Sequence, residues 1–448
     1  MIRSTEQTLY RLDNLNAEQQ RISYQMSTGK KLEQGSDDSN LYTREIYIDD
    51  KIRVYEGLKT QIEKTTAQNN VADSTLGEVK NLLTYVKAEV IKALNDTTDP
   101  EARAAIAINL AGIKENLYDF ANEQVEGEYL YAGSDTQVRP FSKDADGRVI
   151  YNGDAFLRKV AVEDGSYRER GITGFETFMY TSSSALKNST LEFDASERII
   201  DQDGYEWKIE AATTSTAGAT LNFASTESLI DQNGKVWTLN DANTELEDGK
   251  GNSLSVVAGA TAGTYDVVVP ADEPAPAETS SLGVINQLVK YDEDGNATSE
   301  IRPVTSGVDK AFQITTPNVD GTKFEAKANT FDVMDKIINA LNEKDSLGNT
   351  VSTDVARASL QEGLGEITEA FEAANVGHAK LGGRNRVFEV SLDRVSTKLT
   401  QFNILSQEIG AVDLSKVAVE AKALELTYTA LYSTINKMNE LSLINFIR

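Results

Sequence analysis

Apolar residues recur three and four apart at both ends of the chain, and this spacing gives way to short alternating runs in the middle. Leu12, Leu15, Ile22 and Met26 fit a heptad seam in which polar Gln19 fills the remaining position. A Gly35-Ser36-Asp37-Asp38-Ser39 break follows, and helical spacing resumes through Leu76, Val79, Leu83, Val86 and Val90. Asp99-Pro100 reads as a stop and restart, because proline suits a first helical turn. Ile106, Leu110, Ile113, Leu117 and Phe120 then predict a helix returning along the previous one. Phe388, Leu392, Val395, Leu399 and Phe402 keep the same steps near the other end, and Ser406 and Ile409 hold the register until it breaks near Asp413. Val417, Ala421, Leu424, Tyr428, Leu431, Ile435 and Met438 carry it for three more heptads. A sustained seven-residue repeat is the period of long helices that coil on partners. A long packed or coiled helix is expected from about Leu381 onward, with the lone His378 near its end.

Between about Gly133 and Thr330 the pattern predicts antiparallel β-structure. Asp146-Gly147, Asn152-Gly153, Asp203-Gly204, Asn233-Gly234, Asp294-Gly295 and Asp320-Gly321 separate short apolar or β-branched runs, and Asx-Gly pairs favour tight hairpins. A duplication with a 30-residue offset lies inside this region. Glu197, Ile200, Asp201, Gln202, Gly204 and Trp207 recur as Glu227, Ile230, Asp231, Gln232, Gly234 and Trp237. Both tryptophans of the chain sit in the repeat and are expected to anchor two equivalent hairpins. Thr181-Ser182-Ser183-Ser184 and Pro270 to Ser281 read as low-order stretches on either side of it.

The expected fold class is therefore α+β and multidomain, with long coiled-coil-like helices from both chain ends and an inserted, mainly antiparallel β domain. The expected segments are 1–132 (helical), 133–185 with 283–330 (β domain), 186–282 (acidic β insertion) and 331–448 (helical).

Charge and composition narrow the function. The net charge of −26 on 448 residues argues against nucleic acid or an anionic membrane as a partner. Residues 186–282 hold 17 acids and 5 bases, so an outward, solvated module is the natural reading. There is no cysteine, which removes thiolate chemistry and cysteine-bound zinc. One histidine cannot build a two-histidine metal helix, and no nucleophile motif flanks it. Thr28-Gly29-Lys30-Lys31 lacks the earlier glycine and the following Ser/Thr of a phosphate loop. The acidic turns fail as calcium loops, since Ile199 and Lys290 stand where the first carboxylate ligand belongs. No catalytic centre, cofactor or metal is expected. The first residues lack a cleavable secretory signal, and no run approaches the roughly 20 apolar residues that span a bilayer.

Several segments resemble the flagellins and their hook–filament junction relatives. They are Ser27-Thr28-Gly29-Lys30-Lys31-Leu32 with the Ser-Asp-Asp that follows, Tyr129-Leu130-Tyr131-Ala132-Gly133, and Tyr151-Asn152-Gly153-Asp154. Phe331 to Leu341 resembles the return helix of that group, and Met438 to Ile447 its terminus. The resemblance implies a structural subunit that forms a homo-oligomeric ring between hook and filament, meeting the first hook-associated protein and flagellin. It further implies export without a cleaved signal peptide to an extracellular flagellar site, helped by a cytoplasmic chaperone at the C-terminal helix. The heptad positions listed above, from Leu12 to Met26 and from Phe388 to Met438, are the expected assembly interface. The alternatives are a filament flagellin and, from another class, a secreted glycan-binding protein built on Trp207 and Trp237.

Overall fold

A computed structural model describes residues 2–95, 98–144, 147–249, 251–270, 281–346 and 348–446. The side chain of Met438 and residues 271–280, most of the second expected low-order stretch, fall outside the described set. Seven helices are present among the described residues: α1 (Ile2–Thr28), α2 (Ser39–Ala93), α3 (Pro100–Ala121), α4 (Gly174–Thr177), α5 (Thr330–Leu341), α6 (Thr353–Gly410) and α7 (Leu414–Phe446). The fold is α+β, with terminal helices flanking antiparallel β-structure.

The expected long C-terminal helix is two helices. It begins well before Leu381, at Thr353, and is interrupted at residues 411–413. There Asp413 Oδ1 accepts hydrogen bonds from the amides of Ser415 and Lys416 and so caps α7. His378 consequently lies in mid-helix, not near a helix end, with Nε2 2.9 Å from Asp73 Oδ1. Asp99 caps α3 in the same manner, accepting from the Ala102 amide at 2.7 Å, with Pro100 at the first helical position.

The chain divides into two compact units, one of Met1–Glu63, Ala161–Ser166 and Glu389–Arg448, the other of Lys64–Val160 and Tyr167–Phe388. The core of the second unit takes in the predicted stripes. Leu76, Val79, Leu83, Val86 and Val90 of α2 are buried, as are Ile106, Leu110 and Leu117 of α3, with Phe331, Met334 and Ile337 of α5 in the same cluster. Tyr131, Phe141, Tyr151 and Phe178 join them as a packed aromatic group. The Asn152-Gly153 pair is not a hairpin turn: a Cβ on Gly153 would stand 2.3 Å from the Ala132 carbonyl oxygen. Glycine is needed there because two backbones meet. Asp154 locks the same contact by accepting from the Ser134 and Phe156 amides at 2.9 and 2.8 Å.

The strands Thr190–Phe193, Arg198–Asp201 and Glu206–Thr216 carry the first copy of the repeat, and Thr220–Ala224, Leu229–Asp231 and Val236–Leu239 carry the second. Each copy spends its acidic residue on its own turn. Asp201 Oδ1 accepts from the amides of Asp203 and Tyr205, while Oδ2 accepts from the indole of Trp207 at 3.1 Å. Asp231 does the same with Asn233, Lys235 and Trp237. Gly204 and Gly234 supply the positive φ of 87° and 79° that closes each turn. Glu197 and Glu227 each fold back onto a backbone amide three residues earlier. Gln202 and Gln232 each accept from the first amide of a neighbouring strand, at Lys323 and Ser281.

This equivalence runs well past the visible repeat. Thr190 pairs with Thr315 as Thr220 pairs with Val268, Phe324 lies opposite Asp201 as Leu282 lies opposite Asp231, and Ile209 faces Leu288 as Leu239 faces Leu246. Two modules of one topology result. The inner one is inserted between Ile209 and Leu288 of the outer one, where the inner module itself has only a short loop. Each has its own core. Phe193, Ile199, Trp207, Leu288 and Phe324 fill the outer one, and Phe223, Leu229, Trp237, Leu246 and Leu282 fill the inner one. Both tryptophans are buried, so neither offers a ring to a glycan, and the glycan-binding alternative loses its basis. Thr181–Ser184 is not a low-order stretch but part of the strand Met179–Leu186, paired with Lys323–Asn329.

Asp201→Ala strands a buried indole N–H and leaves two part-buried turn amides without their acceptor. We expect a loss of about 2–4 kcal/mol, read by denaturant unfolding followed through tryptophan fluorescence.

Candidate assembly surface

The first unit is built from the two chain ends. The seam of α7 meets α1 of the same chain. Val417 and Leu424 are buried against Ile22, with Leu15, Val412, Ala421 and Tyr428 packed around them. Tyr428 donates its hydroxyl to Asn16 Oδ1 at 2.6 Å, and Arg21 lies 3.7 Å from Glu420. Leu12, Leu431 and Ile435 are half-buried, and Met26 is exposed. In α6, Val395 is buried while Leu392, Leu399 and Phe402 are half-buried, Phe402 stacking on Tyr55 of α2 at 5.5 Å. Phe388, which belongs to the second unit, is fully buried. Met26 apart, the described heptad positions therefore turn largely inward within one chain, and most of the exposed apolar side chains are different ones.

Those lie on the far sides of the same helices. Val419 and Leu426 of α7 are 70% and 65% exposed, whereas Val417, two residues away, is 2% exposed. Two residues correspond to about 200° around a helix, so a second apolar stripe runs opposite the one that α1 fills. Tyr432 is exposed at the edge of the inward seam, stacked on Tyr428, and Ile46, Tyr47 and Ile404 are exposed on α2 and α6. Apolar residues scattered singly over a surface are ordinary, but a concentration of them on one unit marks a place for partners.

The breaks in the two ends are tied together. The Lys31 amide donates to the Gly410 carbonyl at 2.8 Å, and the Val412 amide donates to the Gly29 carbonyl at 2.9 Å, which makes a small antiparallel bridge. Gln25, buried, reaches across to the Lys31 carbonyl. Asp37 accepts from the amides of Glu33 and Gln34, and Asp38 accepts from those of Asn40 and Leu41 at the start of α2. The Thr-Gly-Lys-Lys and Ser-Asp-Asp segments thus form an elbow. Their side chains hold loops and cap a helix, which explains residue types that looked like fragments of ligand motifs. The signal for the partner loop was Asp413, a helix-capping residue just before a new apolar register.

At the other end of this unit, Glu163 accepts a hydrogen bond from Lys398 and lies 3.3 Å from Arg394, while Asp164 is 3.6 Å from Lys51. The Lys398 hydrogen bond and charge, together with the Arg394 charge, hold the Glu163 carboxyl below its ordinary range. Lys398 is raised in turn, chiefly by the same hydrogen bond. Among the described residues no cluster of three or more histidine or acidic side chains is placed to hold a metal, and no helix is long and apolar enough to cross a membrane.

Residues 3–136 match the family model of the bacterial flagellin N-terminal helical region. Flagellar hook-associated protein 3 of Salmonella typhimurium is 27% identical over 184 residues, 40% of this chain and 56% of that protein. The Escherichia coli protein of the same name is 26% identical over the same extent. The chain spans only about half the length of those curated relatives. Among solved structures it is similar to hook-associated protein 3 of Legionella pneumophila, with a TM-score of 0.45 and 17% identity over 81% of this chain and 98% of that one. It is also similar to a putative flagellar hook-associated protein of Vibrio parahaemolyticus, with a TM-score of 0.45 and 11% identity over 84% and 100%.

Proposed function

We propose that the chain is a structural subunit of the bacterial flagellum that joins hook to filament by self-assembly of its terminal helices. The observation that carries this reading is the outward stripe of Val419 and Leu426, set opposite the stripe that α1 fills. A helix with one face closed by its own chain and another left apolar is suited to packing against copies of itself. Repetition of one such contact generates a ring or a helical layer. The flagellin-type N-terminal region and the named curated relatives supply the context.

On this reading the chain forms a homo-oligomeric ring and contacts the first hook-associated protein on one side and flagellin on the other. It is exported to the flagellum, and a chaperone covers α7 before export. Labelled electron microscopy on intact cells tests the proposal. A single labelled band at the base of each filament is the expected result, and label along the whole filament length would instead make the chain a bulk flagellin.

A further inference from the structure

The outer β-module is joined to the helical part of its unit by a narrow ribbon. Thr181, Tyr180 and Met179 pair there with Lys327, Ala328 and Asn329, and the ladder has a register shift between Ala326 and Lys327. A bulge of this kind bends a strand and weakens its pairing locally. Opposite the bulge, in register with Lys327, stands Arg198.

Arg198 bridges the two bodies that the ribbon connects. Its Nε and Nη2 donate to the two carboxylate oxygens of Glu206, at 2.5 and 2.6 Å, inside the module. Nη1 donates to the Tyr151 carbonyl at 2.7 Å and Nη2 to the Gly153 carbonyl at 3.2 Å, both in the neck that links helices to β-structure. The guanidinium also lies over the rings of Phe175 and Tyr151, at 4.6 and 5.2 Å. The remaining contact is small. Tyr205 meets Phe156 edge-on, and Ile200 rests partly buried on the helical core. Beside it opens a cleft of about 770 Å³, with Asp135, Gln137 and Arg158 of the neck on one wall and Lys208 and Asp294 of the module on the other.

We propose that Arg198 is a latch that fixes the angle of the β-modules on the helical neck, with the Ala326/Lys327 bulge as the hinge. The fork geometry matters. Glu206 orients the guanidinium within the module, so the two neck carbonyls are gripped by a group that cannot turn away. With the latch closed the cleft keeps one width. With it open the ribbon bends, the cleft widens, and both modules move together because the inner one is built into the outer.

The chain contains no cysteine, so a pair of introduced cysteines is labelled without background. Spin labels on Val138→Cys in the neck and Asp294→Cys in the module read the cleft, and a Lys187→Cys/Asp294→Cys pair reads the module alone. The wild-type cleft pair should give one narrow distance distribution. Arg198→Met should move it to longer distance and broaden it by about twofold, Arg198→Lys should fall between the two, and the module pair should stay narrow throughout. If Arg198→Met broadens the module pair as well, the module has lost its fold, and Glu206→Ala, which removes the carboxylate that orients the guanidinium but keeps Arg198, decides instead. A wild-type cleft distribution in every variant that keeps a narrow module pair overturns the latch.

Discussion

Val419→Asp is expected to abolish incorporation of the chain into flagella while leaving its melting curve unchanged. Val419 is exposed on α7, so a carboxylate there stays in water in the lone chain, and surface substitutions of this kind change stability by about 0.5 kcal/mol at most. In an assembly whose contact covers Val419 the balance reverses. The apolar gain of roughly 1.5–3 kcal/mol for a buried valine is lost, and a charge must be stripped of water. That amounts to on the order of a hundredfold per contact, repeated at every subunit boundary. Val417→Asp, only two residues away, should behave differently. Its carboxylate would sit among Ile22, Leu424 and Ala421, costing about 3 kcal/mol or more of the packing between the chain's own ends. Incorporation and the melt should then fail together. Recovery of epitope-tagged variants in isolated flagella, with thermal melts of the purified chains, separates the two. Val419→Asp incorporating as well as wild type would remove the outward stripe from the interface.

Periodicity located the helices well because a three-four spacing has few other meanings over such lengths. Leu76 through Val90 and Ile106 through Leu117 are buried as their spacing demands. What periodicity does not carry is the identity of the partner. The heptad positions Ile22, Val417 and Leu424 look the same in a sequence whether they face another molecule or the chain's own opposite end, and here they face the latter. Val419 and Leu426 keep a seven-residue step of their own but were eclipsed by the stronger stripe. The elbow was hidden for another reason. Its bonds run between main-chain groups of Gly29, Lys31, Gly410 and Val412, and backbone pairing across nearly 400 residues leaves no side-chain signature. In the β-region, the Asp-x-x-Gly turns were legible as turns. Their failure as calcium loops has a structural counterpart, since the oxygens of the first aspartate are committed to amides and an indole. The duplication faded after Trp237 because Phe324 and Leu282, or Ile314 and Val267, do equivalent work with different side chains and unequal loops between them.

Nesting of the modules leads to the second large expected effect. Replacing residues 210–287 by the six-residue loop Asn240–Glu245 should leave a chain whose outer module still folds. Ile209 would then reach Leu288 as Leu239 reaches Leu246 in the inner module, with each pair already directly opposite in its ladder. The outer core keeps Phe193, Ile199, Trp207, Phe312, Ile314 and Phe324, all outside the excised stretch. It loses Ile285 outright, together with Ile230 and Val236. Removing apolar cover of that size costs about 2–5 kcal/mol, enough to lower the melting temperature but not to unfold a module with a core of its own. Trp207 becomes the single tryptophan of the shortened chain, and its emission is the readout. Emission typical of a buried indole, with a cooperative thermal transition, is expected. Emission typical of a solvated indole would mean that the outer module cannot stand without its insert, and that the two copies form one folding unit despite their matching topology. The helical unit offers the control. No residue of Met1–Glu63 or Glu389–Arg448 is touched, so the excised chain should still enter flagella if assembly belongs to the terminal helices and not to the β-modules.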